Sequence, residues 1–183
     1  MQFLAIILGL AVLAIIAILA IATTKPATFT IRRTTYVDAA PEAIFPLIND
    51  FRRWRDWSPY EDRDADLKRT LSGAEAGEGA VYEWSGNKNV GTGRMEITDV
   101  AEPHKIVIKL DFMKPFEAHN VARFTMEPQG ARTRLGWEMT GPSPFMSKVM
   151  QVFMNFDKMV GADFEMGLAR LKAIAEQERL AAT

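Results

Sequence analysis

Side chains able to do chemistry are scarce in this chain. Its 183 residues contain two histidines and no cysteine, which excludes disulfides and cysteine-based zinc sites. His104 follows Pro103 at a turn, and His119 lies in a strand-like run beside Glu117 and Arg123. Neither has a metal-ligating partner four residues on, so the common zinc spacings are missing and a structural role is expected of both. Nucleophile-elbow, P-loop and dinucleotide motifs are absent too; Gly91-Thr92-Gly93 lacks a third glycine and reads as the start of a strand. Acid–base chemistry would need a carboxylate or tyrosine facing a cavity with help from a neighbour. Tyr60, Glu61, Tyr82 and Arg94 are of the right types. The sequence leaves open which face they occupy, so no catalytic residue is assigned and no cofactor or metal is expected.

The richer resource is aromatic and thioether surface. Residues 54 to 61 read WRDWSPYE, which places Trp54 and Trp57 three apart, on one face of a helical turn. Core packing and cavity lining both account for them, because aromatics bury large areas in any domain. Met146, Met150 and Met154 repeat every four residues and share a face, with Met159 and Met166 further along the same stretch. Flexible thioethers suit a surface that accepts varied apolar ligands, and they equally fill gaps in a core. Both readings stay open.

The elements that would position these residues follow a simple order. Thr28 to Val37 is β-branched and reads as a strand ended by Asp38-Ala39-Ala40-Pro41. Pro41 suits the first turn of a helix, and Ile44, Leu47, Ile48, Phe51 and Trp54 continue its apolar stripe. Pro46 interrupts that stripe, so a kinked or two-part helix is expected. From Leu67 to Met139 the period becomes two: Tyr82 and Trp84, Met95 and Ile97, Ile106 to Phe112, Ala122 to Met126 and Leu135 to Met139 alternate with polar neighbours between turn residues. This spells an antiparallel meander with one apolar face. After Gly141-Pro142-Ser143-Pro144, one long helix is expected to about Glu178, its stripe running from Phe145 through Phe164 to Ile174. No internal repeat appears.

Composition bounds the partners. A net charge of −1 and a pI of about 6.2 leave no electrostatic footprint for nucleic acid. Phe3 to Ala22 carries no charge and no proline, and about twenty residues of helix span roughly 30 Å, the thickness of a bilayer's hydrocarbon core. A secretory signal is the rival reading, given Ala20-Ile21-Ala22, but no basic residue precedes the run and the run is long for one. Residues 1–24 are therefore expected to be a single membrane-spanning anchor and residues 25–183 one domain beside the bilayer. Lys25, Arg32 and Arg33 follow the span, which favours the cytoplasmic side for that domain. Arg32, Arg33, Arg52, Arg53 and Arg55 could meet anionic headgroups, but Asp50, Asp56, Glu61 and Asp62 lie among them, so a solvated face is expected.

The segments APEAIFPLINDFRRWRDWSPYE (40–61), YEWSGNKNVGTGRMEI (82–97) and FEMGLARLKAIAE (164–176), in this element order, resemble the START-like superfamily of polyketide cyclases, Bet v-like proteins and lipid-transfer domains. The resemblance spans residues 28 to 178. It implies an α+β helix-grip fold, a curved antiparallel sheet wrapped around a long C-terminal helix, here preceded by one transmembrane helix. It also implies a cavity between sheet and helix, with Trp54 and Trp57 near its end. The residues expected to face a ligand are Trp54, Trp57, Tyr82, Trp84, Met95, Phe112, Phe124, Trp137, Met146, Met150 and Phe153. The function expected first is binding of a hydrophobic small molecule of lipid, isoprenoid or quinone type. A polyketide cyclase- or dehydrase-like enzyme, and an interaction domain whose cavity has collapsed into core, are the alternatives.

Overall fold

The computed structural model describes residues 2–181. Helix α1 (Gln2–Thr24) comes first and is long and apolar enough to cross a membrane. The globular part then runs β1 (Thr28–Val37), α2 (Pro41–Asn49), a 3-10 turn (Phe51–Arg53), α3 (Trp54–Trp57), a second 3-10 turn (Glu61–Arg63), β2 (Lys68–Gly73), β3 (Ala80–Ser85), β4 (Thr92–Ala101), β5 (Lys105–Lys114), β6 (Ala118–Gln129), β7 (Arg132–Pro142), α4 (Phe145–Phe153) and α5 (Phe156–Ala181). The seven strands form one antiparallel sheet in the order β1-β7-β6-β5-β4-β3-β2. A register shift between Ile97 and Asp99 interrupts the β4–β5 ladder, the kind of irregularity that bends a strand and sharpens its twist. The sheet's concave face packs on α5 through Phe164, Leu168, Leu171 and Ala175, a stripe at helical spacing. This is the helix-grip arrangement.

Helix α2 passes through Pro46 and ends at Asn49, so the expected two-part helix divides at Asp50, four residues beyond the proline. A helix end leaves its last carbonyls without intrahelical donors. Two of these are answered from α3: the Trp57 indole N–H donates to the Leu47 carbonyl and the Trp54 N–H to the Ile48 carbonyl, each at 2.9 Å. The pair of tryptophans thus caps one helix while standing on the next. Arg55 and Asp56, between them, are exposed.

The expected single C-terminal helix is two helices. Met154 is extended, with φ −125° and ψ 132°, and the Asn155 side-chain oxygen accepts the Lys158 N–H at 2.9 Å. Asparagine at that position is a strong N-cap, and it starts α5 in a new direction. The consequence is that α4 leaves the concave face and packs against α1 instead.

Arginines near the start of the domain are engaged by its own carboxylates. Arg33 reaches across Gly161 to Asp157 and Glu165 on α5, Arg53 reaches Glu178, Arg52 pairs with Asp50 and Arg32 with Glu138. Charged partners at this range favour the protonated guanidinium, and Arg33 is accordingly raised by its hydrogen bonds to Asp157 and then Glu165.

Candidate ligand-binding site

The concave face is floored by a continuous run of rings. Phe112 meets Trp84 at 5.6 Å, Trp84 meets Tyr82 at 6.3 Å, and Phe51 links Tyr82 to Trp54 at 5.9 and 5.3 Å. Trp54 and Trp57 both meet Phe124 edge-on at 6.0 Å, and Trp137 lies nearly parallel to Phe164 of α5 at 4.1 Å. Offset stacking and edge-on contact are the favoured aromatic geometries. Glycine makes room for them at two points: a β-carbon on Gly93 would stand 2.3 Å from the Trp84 ring, and one on Gly167 would stand 2.7 Å from that of Trp137.

The expected ligand-facing residues therefore divide into two groups. Trp54, Trp57, Tyr82, Trp84, Met95, Phe124 and Trp137 are buried together on the floor, with Phe112 partly buried beside them. Rings fill the space beneath the middle of α5. Met146, Met150 and Phe153 lie apart from that group, exposed on α4.

Two polar atoms interrupt the floor. Asn120 Oδ1 and Trp137 Nε1 are buried without a hydrogen-bond partner. Asn120 is opposite Leu110 on the core side of β6, and its amide lies over Gly141 next to the Phe29 ring. A buried unmet acceptor costs about 1–3 kcal/mol, so this atom marks a place where a donor would be welcome.

Beside Phe29 the concave face opens. A cleft of about 510 Å³ lies between the start of β1 and the α4–α5 break. Phe29, Ile31, Val152, Phe153, Met154 and Phe156 supply its apolar walls; Lys25, Gln151, Asn155 and Asp157 supply polar groups. Small-molecule sites commonly occupy about 300–1,000 Å³ with mostly apolar walls and a few polar groups. Of the residues expected to face a ligand, Phe153 lines this cleft. Phe29, Ile31 and Phe156 were not among them, although Asn155 carried a signal: an N-cap residue inside an apolar helical stripe marks a possible break.

The acid–base candidates part company. The Tyr82 hydroxyl donates to Glu61 Oε1 and Arg69 donates to Oε2, both at 2.5 Å, around a carboxylate whose side chain is 8% exposed. Burial first, then the Glu61 hydrogen bond and charge, push the Tyr82 phenol up, so it stays protonated. Tyr60 is raised by burial and then by the nearby Asp163. Arg94 pairs with Glu96 and alternates with the inward Gly93 and Met95, so it faces away from the concave side. Glu61 and Tyr82 are thus one unit, joining the second 3-10 turn to β3, with Arg69 on the edge strand β2 beside them. His104 meets the Met126 carbonyl at 3.2 Å, and His119 sits between Asp111 and Glu117. Among the described residues, no group of three or more histidine, aspartate or glutamate side chains could hold a metal ion.

Comparison with known proteins gives this geometry a context. A protein of unknown function from Staphylococcus aureus superposes with a TM-score of 0.61 at 8% identity, over 84% of this chain and 96% of that one. The di-domain aromatase/cyclase of the steffimycin biosynthetic pathway gives 0.59 at 14% identity, over 84% of this chain and 52% of that longer one. A protein from Chromobacterium violaceum gives 0.58 at 14% identity, over 80% and 96%. At these identities the likeness speaks for the fold. The search of curated proteins returned no significant match. Residues 28–176 match the family described as polyketide cyclase / dehydrase and lipid transport, and the chain belongs to that family.

Proposed function

We propose that the protein is a membrane-anchored module that binds a hydrophobic small molecule, of lipid, isoprenoid or quinone type, in the cleft beside Phe29 and Phe156. The observation that carries this reading is the cleft itself: about 510 Å³, walled by apolar and polar side chains in about equal measure, beginning at Lys25 just past the end of α1. Burial of apolar ligand surface there would supply binding at roughly 25 cal/mol per Å². Lys25, Gln151, Asn155 and Asp157, on the cleft wall, are suited to a polar group on the ligand. Such chemistry favours an amphiphile over a plain hydrocarbon. With residues 1–24 as the anchor and residues 25–183 as the binding domain, the module would stay beside the bilayer that dissolves its ligand. The basic residues after the span favour the cytoplasmic side.

The test is mass spectrometry of organic extracts from the full-length protein purified gently from native membranes, beside a Phe29→Asp, Phe156→Asp variant. A stoichiometric apolar species in the parent that is lost from the folded variant supports the reading. An empty parent, whose melting temperature ignores a panel of lipids and quinones, overturns it.

A second reading, a cyclase- or dehydrase-like enzyme, draws on the family description and on the Glu61–Tyr82 pair, a carboxylate in hydrogen-bond contact with a phenol. Tyr82→Phe removes the transferable proton and keeps the ring. Loss of turnover with ligand retained would favour chemistry; unchanged turnover would remove this pair from it.

A further inference from the structure

Helix α4 carries its apolar side chains on the wrong side for a soluble protein. Phe145, Val149 and Phe153 recur every four residues, and Met146 and Met150 lie on the adjoining strip. Yet α4 has no buried residue at all: Met146 is 71% exposed, Phe153 68% and Phe145 50%. The residues turned inward are Ser147, Lys148, Gln151 and the two valines Val149 and Val152, all half-buried, with Gln151 donating to the buried Ser143 hydroxyl at 2.7 Å. A surface helix ordinarily buries its apolar stripe and shows its polar one. Here the largest apolar side chains are the ones left outside.

The position of α4 says what covers that stripe. It packs against α1, and along α1 the only fully buried side chain is Ala22, with Ile18 one turn earlier half-buried. Those residues fall in the last two turns of a helix that ends at Thr24, so α4 meets α1 within about 10 Å of its end at 1.5 Å per residue. If α1 spans a bilayer, that level is the headgroup–acyl boundary, where amphipathic helices lie with their apolar side buried. The β5–β6 hairpin at the same end of the sheet adds Met113 and Phe116, 50% and 75% exposed, flanking Lys114. We infer that α4 is an interfacial membrane helix: it lies in the bilayer surface beside α1 on its Phe145–Met146–Phe153 side, and holds the mouth of the cleft against the lipid.

This inference rests on the anchor reading of α1, and the experiment separates the two. The chain has no cysteine, so single cysteines can be placed at will for an environment-sensitive fluorophore. Leu10→Cys reports on α1, Met146→Cys and Phe153→Cys on α4, and Gln129→Cys on the exposed far hairpin. Full-length protein is reconstituted into phosphatidylcholine–phosphatidylglycerol vesicles and probed with aqueous iodide and with bromolipid. Labels at 146 and 153 should be quenched by iodide severalfold less than that at 129, and quenched by bromolipid. If the label at 10 is lipid-quenched while those at 146 and 153 remain as iodide-accessible as that at 129, the interfacial helix is refuted and the anchor stands. Accessibility at 10 as well sinks both. Shielding of 146 and 153 from iodide and bromolipid alike would assign the stripe to a protein partner and overturn the lipid contact.

Discussion

From the middle of the concave face toward the end of β1, apolar side chains point inward: Trp54, Trp57, Phe124, Trp137 and Phe164 are each no more than 4% exposed. Where β1 begins, at Thr28, they point outward: Phe145, Met146 and Phe153 stand exposed on α4 around a cleft of about 510 Å³. Both ends use aromatic residues on short helices, and each helix is held by polar contacts to a neighbouring segment, α3 to the carbonyls of α2 and α4 to Ser143 after β7. What differs is the partner of the apolar side. At the far end it is the protein's own core, and the indole N–H groups even complete the hydrogen bonding of α2. At the near end no part of the described chain covers it. The sealed end should therefore govern stability, and the open end should govern what the protein touches.

Substitution at the sealed end gives the largest expected effect. Trp57→Ala should destabilise the chain by about 3–5 kcal/mol, as deletion of a buried aromatic side chain does, whereas Phe153→Ala should fall within about 0.5 kcal/mol of the parent. Urea denaturation of the full-length protein in mild detergent measures both. Equal losses at the two positions would break the contrast. Trp57→Phe sharpens it, because a ring remains while the Leu47 carbonyl loses its donor; about 1–3 kcal/mol is expected.

Glycine substitution probes how tightly the floor is packed. Gly93→Ala would drive a methyl group to 2.3 Å from the Trp84 ring and 2.6 Å from the Asp111 carbonyl oxygen. Overpacking of this kind costs about 1–3 kcal/mol. The fluorescence of the tryptophans should shift as Trp84 is displaced, and a variant as stable as the parent would mean that the floor can yield.

At the open end, Asn155→Ala should cost about 0.5–2 kcal/mol by removing the cap of α5. The break between α4 and α5 depends on that cap, so the cleft should respond too. Weakened ligand retention alongside a modest loss of stability is expected, and Met154→Ala, exposed beside it, should leave stability nearly unchanged.

The sheet was legible because its code is local. Period-two runs such as Ile106-Ile108-Leu110 and Phe124-Met126 face one side in the structure as they do in the pattern, and Gly86, Gly91 and Gly130 mark turns. The break at Met154–Asn155 was not read, because the apolar spacing from Phe145 to Ile174 continues across it and hides a single capping residue. The orientation of α4 was illegible for a different reason. An apolar stripe says that a face seeks cover, while the choice between core and bilayer depends on where α1 lies, a tertiary fact. The same holds for the floor and the cleft. Trp137 and Phe29 are both aromatic strand residues, and only the packing of α5 decides that one is covered and the other borders an opening.

The smallest effect concerns how the open end's β5–β6 hairpin is held, since electrostatics there replaces packed rings. Asp111 and His119 face each other across that hairpin at 2.7 Å, with Lys109 and Glu117 as flanking charges. Burial pushes the Asp111 carboxyl upward, but hydrogen bonds from His119 and Lys109 outweigh it and hold it below the ordinary value. The His119 imidazole is raised, first by its hydrogen bond to Asp111. A raised histidine stabilises the fold fully below its unfolded value of about 6.5 and stops doing so as pH rises through the folded one; a lowered aspartate stabilises above about 3.9 and stops as pH falls through its folded one. The pair is therefore at full strength between about pH 4 and 6.5, and the imidazole's solvent exposure keeps the gain small. Melting curves of the parent and His119→Ala, recorded from pH 3 to 9, should differ most inside that window and converge above it. A constant difference across the whole range would show that His119 acts by packing alone, and the hairpin would then resemble the sealed end after all.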